Sequence, residues 1–198
     1  MDVGQPVTDV IPGARGAVLA ALARLHTPRT GRQLARDARR PPSSTARILD
    51  DLVEAGIVLR VTHGRDNTYE LNHEHLAAAA ITALASLRGE LVTRLREHMS
   101  SHPEIVAAWL FGSAARGDGS RTSDLDVLVV FSGDVDESVV GELAADARMW
   151  TGNPVQVVEH SVESLSLLVS EDNPLVESLR RDGVELVAGS RRYLGGAS

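Results

Sequence analysis

The chain has no cysteine, and none of its 20 basic residues is lysine. Without cysteine there are no disulfides and no thiolate metal sites, which agrees with a cytoplasmic protein. Without lysine, every phosphate contact by a basic side chain falls to arginine. No apolar run approaches the length of a membrane span, and the opening MDVGQPVTDV lacks the basic and apolar segments of a secretory signal. Cytoplasmic localisation with no membrane association is therefore expected. The net charge of −7 argues against a protein that coats nucleic acid. That charge is uneven, because residues 1–72 carry 10 arginines against 8 acids (+2) and the remainder 10 against 19 (−9). Only the first segment is suited to face nucleic acid. With 198 residues, 43% of them hydrophobic, the chain can bury one good core or two small ones.

Residues 109–130 read WLFGSAARGDGSRTSDLDVLVV. An apolar run meets a Gly-Ser turn, a small polar segment follows, and two carboxylates then lead into a second apolar run. Asp124 and Asp126 are two apart, so on a strand they point to one face. Two convergent carboxylates suit magnesium, which takes one or two carboxylates plus substrate phosphates. Gly112 lets the backbone approach a phosphate, and Ser113 adds a hydroxyl and free N–H groups at the start of a helix.

At these residues, and over roughly residues 103 to 187, the sequence resembles the nucleotidyltransferase superfamily, in particular its minimal nucleotidyltransferase branch. The resemblance implies transfer of a nucleoside monophosphate, AMP from ATP or the equivalent from another triphosphate, to a hydroxyl of a protein, an RNA or a small molecule. It implies that Asp124 and Asp126 are the catalytic carboxylates and hold Mg²⁺. Gly112 and Ser113 would hold the terminal phosphates, with Arg116 and Arg121 as candidate clamps. Members of this branch are often antitoxins that modify a partner toxin, commonly a helical ribonuclease of the HEPN type. One departure stands out: active relatives carry a third carboxylate on the next strand, where this chain reads Val155-Gln156-Val157. Gln156 cannot act as a base, and Glu159, three residues on, falls on the opposite strand face. The alternative reading is a transcriptional regulator whose nucleotidyltransferase fold is catalytically silent and serves as a nucleotide sensor or partner-binding module.

Residues 13–26 form a helical pattern with Val18, Leu19, Leu22 and Leu25 on one face. A Thr30-Gly31 turn, a short helix RQLARDARR, and a third helix follow, the last capped by Ser43 or Ser44 and buried along Ile48, Leu49, Leu52 and Val53. Gly56 is expected at its C-terminal cap. The runs IVLRV and NTYELN then read as a hairpin. This order resembles a winged helix-turn-helix DNA-binding domain. The resemblance implies base contacts from Ser44, Thr45 and Arg47, phosphate contacts from Arg39 and Arg40, and a wing tip at His63 and Arg65. Asp50 and Asp51 on the same helix would oppose DNA along its later turns.

Residues 74–100 read as one long helix with Leu76, Ala80, Leu84, Leu87, Leu91 and Leu95 on a stripe, either packed on its own domains or forming a homodimer seam. His73, His75 and His98 read as surface residues. The expected division is 1–72 winged helix-turn-helix, 73–101 connecting helix, 102–189 nucleotidyltransferase domain and 190–198 flexible tail. The fold class is α/β (α+β) with an N-terminal winged helix. In the C-terminal half, strands are expected at 104–111, 125–131 and 154–159. Helices are expected at 136–151, where Val139, Val140, Leu143, Ala147 and Met149 pack, and at 161–170 and 174–182.

Overall fold

The computed structural model describes residues 1–25, 27–64 and 66–195, with His63 described in its backbone only. The chain divides into two compact units, Gly4–Leu87 with Asp2, and the chain from Arg88 onward with Met1 and Val3.

The first unit runs α1 (Val7–Val10), α2 (Gly13–Ala23), β1 (Arg29–Thr30), α3 (Gly31–Asp37), α4 (Pro42–Glu54), β2 (Val58–His63), β3 (Asp66–Leu71) and α5 (Ala78–Ala85). Its three strands form an antiparallel sheet in the order β1-β3-β2. Thr30 starts α3 with a reciprocal cap: its hydroxyl accepts from the Gln33 N–H and the Gln33 side chain accepts from the Thr30 N–H. α4 begins at Pro42, ahead of the expected serine cap, because proline needs no partner for an N–H in the first turn. Leu49 and Leu52 are fully buried against Val18, Leu22 and Leu34, with Ile48 and Val53 at the edge. Each such leucine stabilises the unit by about 1.5–3 kcal/mol relative to exposure.

The second unit holds α6 (Leu87–Ser100), β4 (Ile105–Phe111), α7 (Gly112–Arg116), β5 (Leu125–Phe131), α8 (Glu137–Thr151), β6 (Val155–Ser161), α9 (Val162–Ser170), α10 (Pro174–Asp182), β7 (Val184–Glu185) and a short 3-10 helix, Ser190–Leu194. The sheet order is β6-β5-β4-β7, with β5 and β6 parallel and the other pairs antiparallel. Along β5, Leu125, Val127, Val129 and Phe131 enter one core with Leu91, Leu95 and Leu143. Leu128 and Val130 enter a second core with Trp109, Leu165, Val176 and Leu179. Burial on both faces explains why β5 reads as an unbroken apolar run. By alternation Asp126 belongs to the second face, at the open end of the strand.

Several expectations are corrected. The stretch 73–101 is two helices, α5 and α6, broken at Ser86. There the hydroxyl bonds back to the Thr82 carbonyl and the N–H is shared between the Thr82 and Ala83 carbonyls. Leu76 precedes α5 and is 98% exposed, whereas Leu91 and Leu95 are consumed in the core, so the stripe offers no continuous dimer seam. His98 is a buried side chain, 9% exposed, with Nδ1 3.4 Å from an Asp146 carboxylate oxygen. Met149 is 82% exposed and does not pack. The expected tail is ordered at Ser190–Leu194, where Leu194 is buried and the Ser190 hydroxyl donates to the Val187 carbonyl and accepts from the Ala108 N–H. Residues 196–198 lie outside the described residues. Among the described residues no helix is long and apolar enough to cross a membrane.

Candidate active site

β4 ends at Phe111, which is the register partner of Asp126 on β5. The chain then turns at Gly112, whose φ is +66°. A Cβ on Gly112 would lie 2.2 Å from Asp126 Oδ2. Glycine is therefore required twice, for the left-handed backbone and for seating the turn against the carboxylate. The loop after α7 folds back on Ser113, whose carbonyl accepts from the N–H groups of Asp118 and Gly119 at 3.1 and 3.2 Å. Asp124 is exposed just ahead of β5 and Asp126 is half-buried at its start. Burial raises the Asp126 pKa above its ordinary value, the Asp124 charge raises it further, and the Arg116 cation works against both. The three side chains thus share one electrostatic site.

Arg116 is exposed and its Nε lies 3.3 Å from Asp118 Oδ2. Arg121 is exposed on the same loop. Two further residues, absent from the sequence-based site, shape it. Arg88 on α6 donates from Nε to the Ala114 carbonyl at 3.1 Å and from a terminal nitrogen to the Ala115 carbonyl, satisfying acceptors that α7 leaves open at its C-terminus. Asn153, fully buried, donates to the Ser123 carbonyl at 2.9 Å. Neither carries a sequence signal, since each partner lies more than twenty residues away and nothing local announces it.

The parallel register of β5 and β6 pairs Asp126 with Gln156 and Val129 with Glu159. Gln156 therefore occupies the place expected of a third carboxylate, and Glu159 lies on the other face, with Val155 and Val157. Among the described residues, no group of three or more His, Asp or Glu side chains forms a ready cation cage. Two adjacent carboxylates, one resisting ionisation because of its burial and then because of the other's charge, beside a turn with no side chain, fit a magnesium ion completed by ligand phosphates. They do not fit an all-protein cage.

In the first unit, Arg39, Arg40 and Arg47 are exposed. The Ser44 hydroxyl donates to the Pro41 carbonyl at 3.0 Å. Thr45 corrects the expectation: it is fully buried, with its hydroxyl on the same carbonyl at 3.0 Å, and cannot reach a base. Asp50 and Asp51 do not stand as bare charges, because Arg60 pairs with the first at 2.9 Å and Arg15 with the second at 3.2 Å. Arg65 and the His63 side chain lie outside the described residues.

Residues 93–172 match the family model of the polymerase beta nucleotidyltransferase domain. The C-terminal half thus carries a nucleotidyltransferase-type domain on a mixed α/β fold. Among solved structures, the chain is similar to a toxin-antitoxin complex with AMP-PNP (21% identity, 52% of this chain and 76% of that one, TM-score 0.38). It is similar to the toxin-antitoxin MntA-HepT (18% identity, 55% and 80%, TM-score 0.36). A third is the tri-AMPylated Shewanella oneidensis HEPN toxin in complex with MNT antitoxin (16% identity, 54% and 80%, TM-score 0.35). No curated protein matches the sequence.

Proposed function

We propose that the second unit transfers a nucleoside monophosphate, AMP from ATP, to a hydroxyl on a protein, an RNA or a small molecule. The observation that carries this reading is the seating of Gly112 on the Asp126 carboxylate with the Asp124 charge beside it. Asp124 and Asp126 would hold Mg²⁺. When bound, the ion supplies charge neutralisation at the α-phosphate and the leaving pyrophosphate. The Gly112 backbone and the Ser113 hydroxyl bind the terminal phosphates. Arg116 and Arg121 supply planar donors matched to phosphate oxygens. Gln156 takes no proton, so the proton of the attacking hydroxyl passes to solvent or to a separate basic group carried by the acceptor.

The same Gln156, paired with Asp126, favours a second reading in which the domain binds nucleotide without transferring it. The first unit, with its helices α2, α3 and α4 and its β2–β3 hairpin, supports a winged helix-turn-helix that binds DNA through Arg39, Arg40, Ser44 and Arg47. On the transfer reading the chain is an autoregulator resembling an antitoxin, with a partner toxin as the natural acceptor; on the second it is a transcriptional regulator whose nucleotidyltransferase fold senses nucleotide or binds a partner.

The deciding experiment uses α-labelled ATP, magnesium, the purified protein and lysate of its own host, with the Asp124→Asn/Asp126→Asn double variant as control. Label on a protein or RNA with the unmutated chain alone supports transfer and identifies the acceptor class. No label above the control, with all four nucleotides, sinks the transfer reading. Electrophoretic mobility shifts on the upstream DNA, with and without Arg47→Glu, test the winged helix separately.

A further inference from the structure

We infer that Asn153 is a positioning residue for Asp124, and through it for the cation and nucleotide of the proposed reaction. The inference rests on the reading of the preceding subsection. Asp124 lies one residue ahead of β5, outside the strand's ladder with β4. Its backbone needs another anchor, and two consecutive residues leading into β6 supply one on each side. Before Asp124, the Ser123 carbonyl accepts from Asn153 Nδ2 at 2.9 Å. After it, the Leu125 N–H donates to the Pro154 carbonyl at 2.8 Å.

The Asn153 amide reaches further back along the same loop, lying 3.4 Å from the carbonyls of Ser120 and of Arg121. Its orientation is fixed by its partners: Oδ1 accepts from the Met1 amino group at 2.6 Å, so Nδ2 must face the three carbonyls. The side chain is fully buried, which makes the amide a dry, strongly directed support. No other common side chain of this size offers two donors there. Aspartate would set an acceptor against three carbonyls, and leucine would take the amide from all three, leaving the Ser120 carbonyl with its bond from the Ser123 N–H.

Partners that orient a metal-holding carboxylate typically affect metal affinity by 10–100-fold. Mn²⁺ binding in the presence of a nonhydrolysable ATP analogue, read by electron paramagnetic resonance, is the direct measurement. Asn153→Ala is expected to weaken Mn²⁺ binding by about 10- to 100-fold. Leu143→Ala is the control for instability alone. It lies on α8 two turns before Thr151, is buried in the same unit, and should lower the melting temperature without moving Mn²⁺ affinity.

A second arm asks whether the effect passes through Asp124. In an Asp124→Asn background the Asn153 substitution should change Mn²⁺ affinity little, because the two losses are then not additive. If Asn153→Ala fails to fold, Asn153→Ser keeps one donor and is measured by the same cycle, with the same expectation. Unchanged affinity in a folded Asn153 variant, or a loss that persists in full without Asp124, overturns the inference. Failure of the unmutated protein to bind Mn²⁺ with nucleotide removes the proposed site itself, and the inference with it.

Discussion

Gln156 is the register partner of Asp126 on the neighbouring parallel strand, so its amide stands beside the more buried of the two site carboxylates. Replacing it with aspartate restores a charged group able to accept a proton from an acceptor hydroxyl. Gln156→Asp is expected to speed transfer by roughly 10²–10⁴-fold, the contribution of a positioned base. Single-turnover transfer of label by the two proteins, at equal occupancy of nucleotide, measures this. A variant no faster than the parent would mean that the amide is not what limits the site.

Gly112→Ala tests the turn against the carboxylate. The left-handed backbone alone makes alanine about 1–2 kcal/mol less stable there. The new methyl would also overlap Asp126 Oδ2 and force that side chain aside. Loss of nucleotide-dependent Mn²⁺ binding, in a protein that still melts cooperatively, is the expected result. Alanine tolerated with full binding would contradict the tight seating of the turn.

Asp126 gives the domain a pH dependence of definite sign. Folding raises its pKa above the ordinary 3.8, chiefly by burial and then by the Asp124 charge. The folded state therefore holds the proton more tightly than the unfolded state, and stability falls as pH rises from 3.8 through the raised value. Asp126→Asn should remove that fall and raise the melting temperature of the cation-free protein at pH 7. Melting curves of both proteins from pH 3 to 7 provide the check; a difference that does not vary with pH would refute it.

His160 acts in the opposite direction. Burial lowers its pKa below 6.5, against the pull of Glu159, and its Nδ1 lies 2.7 Å from the Ser164 hydroxyl. The unfolded chain takes up this proton first, so stability present above pH 6.5 is lost as pH falls below it. His160→Gln should flatten the melting temperature between pH 5 and 7 relative to the parent. An equally steep profile would assign the loss to other groups.

What could be read from the residues follows from range. Leu125–Phe131 is legible as a short unbroken apolar run and Pro174–Asp182 by its helical periodicity, and the Gly112, Ser113, Asp124 and Asp126 spacing brings its strand and turn context with it. Asn153 and Arg88 are not, because their partners are distant in sequence and their chemistry is hydrogen bonding to backbone carbonyls, which no local pattern announces. Thr45 was open to a better reading: it stands four residues before Leu49 and so shares the buried stripe. Ser86 hid a helix break that neither proline nor glycine marked, because a side-chain hydroxyl competes for the backbone only once the fold lets it. The Ser190–Leu194 turn carries no signal of its own, because short polar segments near a terminus are ordinarily loose.

The chain's two tryptophans, Trp109 and Trp150, both belong to the second unit. Trp109 is fully buried between β4 and the second core, its Nε1 without a hydrogen-bond partner among the described residues, while Arg94 lies over the ring of Trp150 at 5.8 Å. Indole emission is thus an intrinsic optical reporter for one unit and blind to the other. A denaturation curve in which ellipticity changes before the fluorescence does would record the first unit melting independently, with no label attached to either.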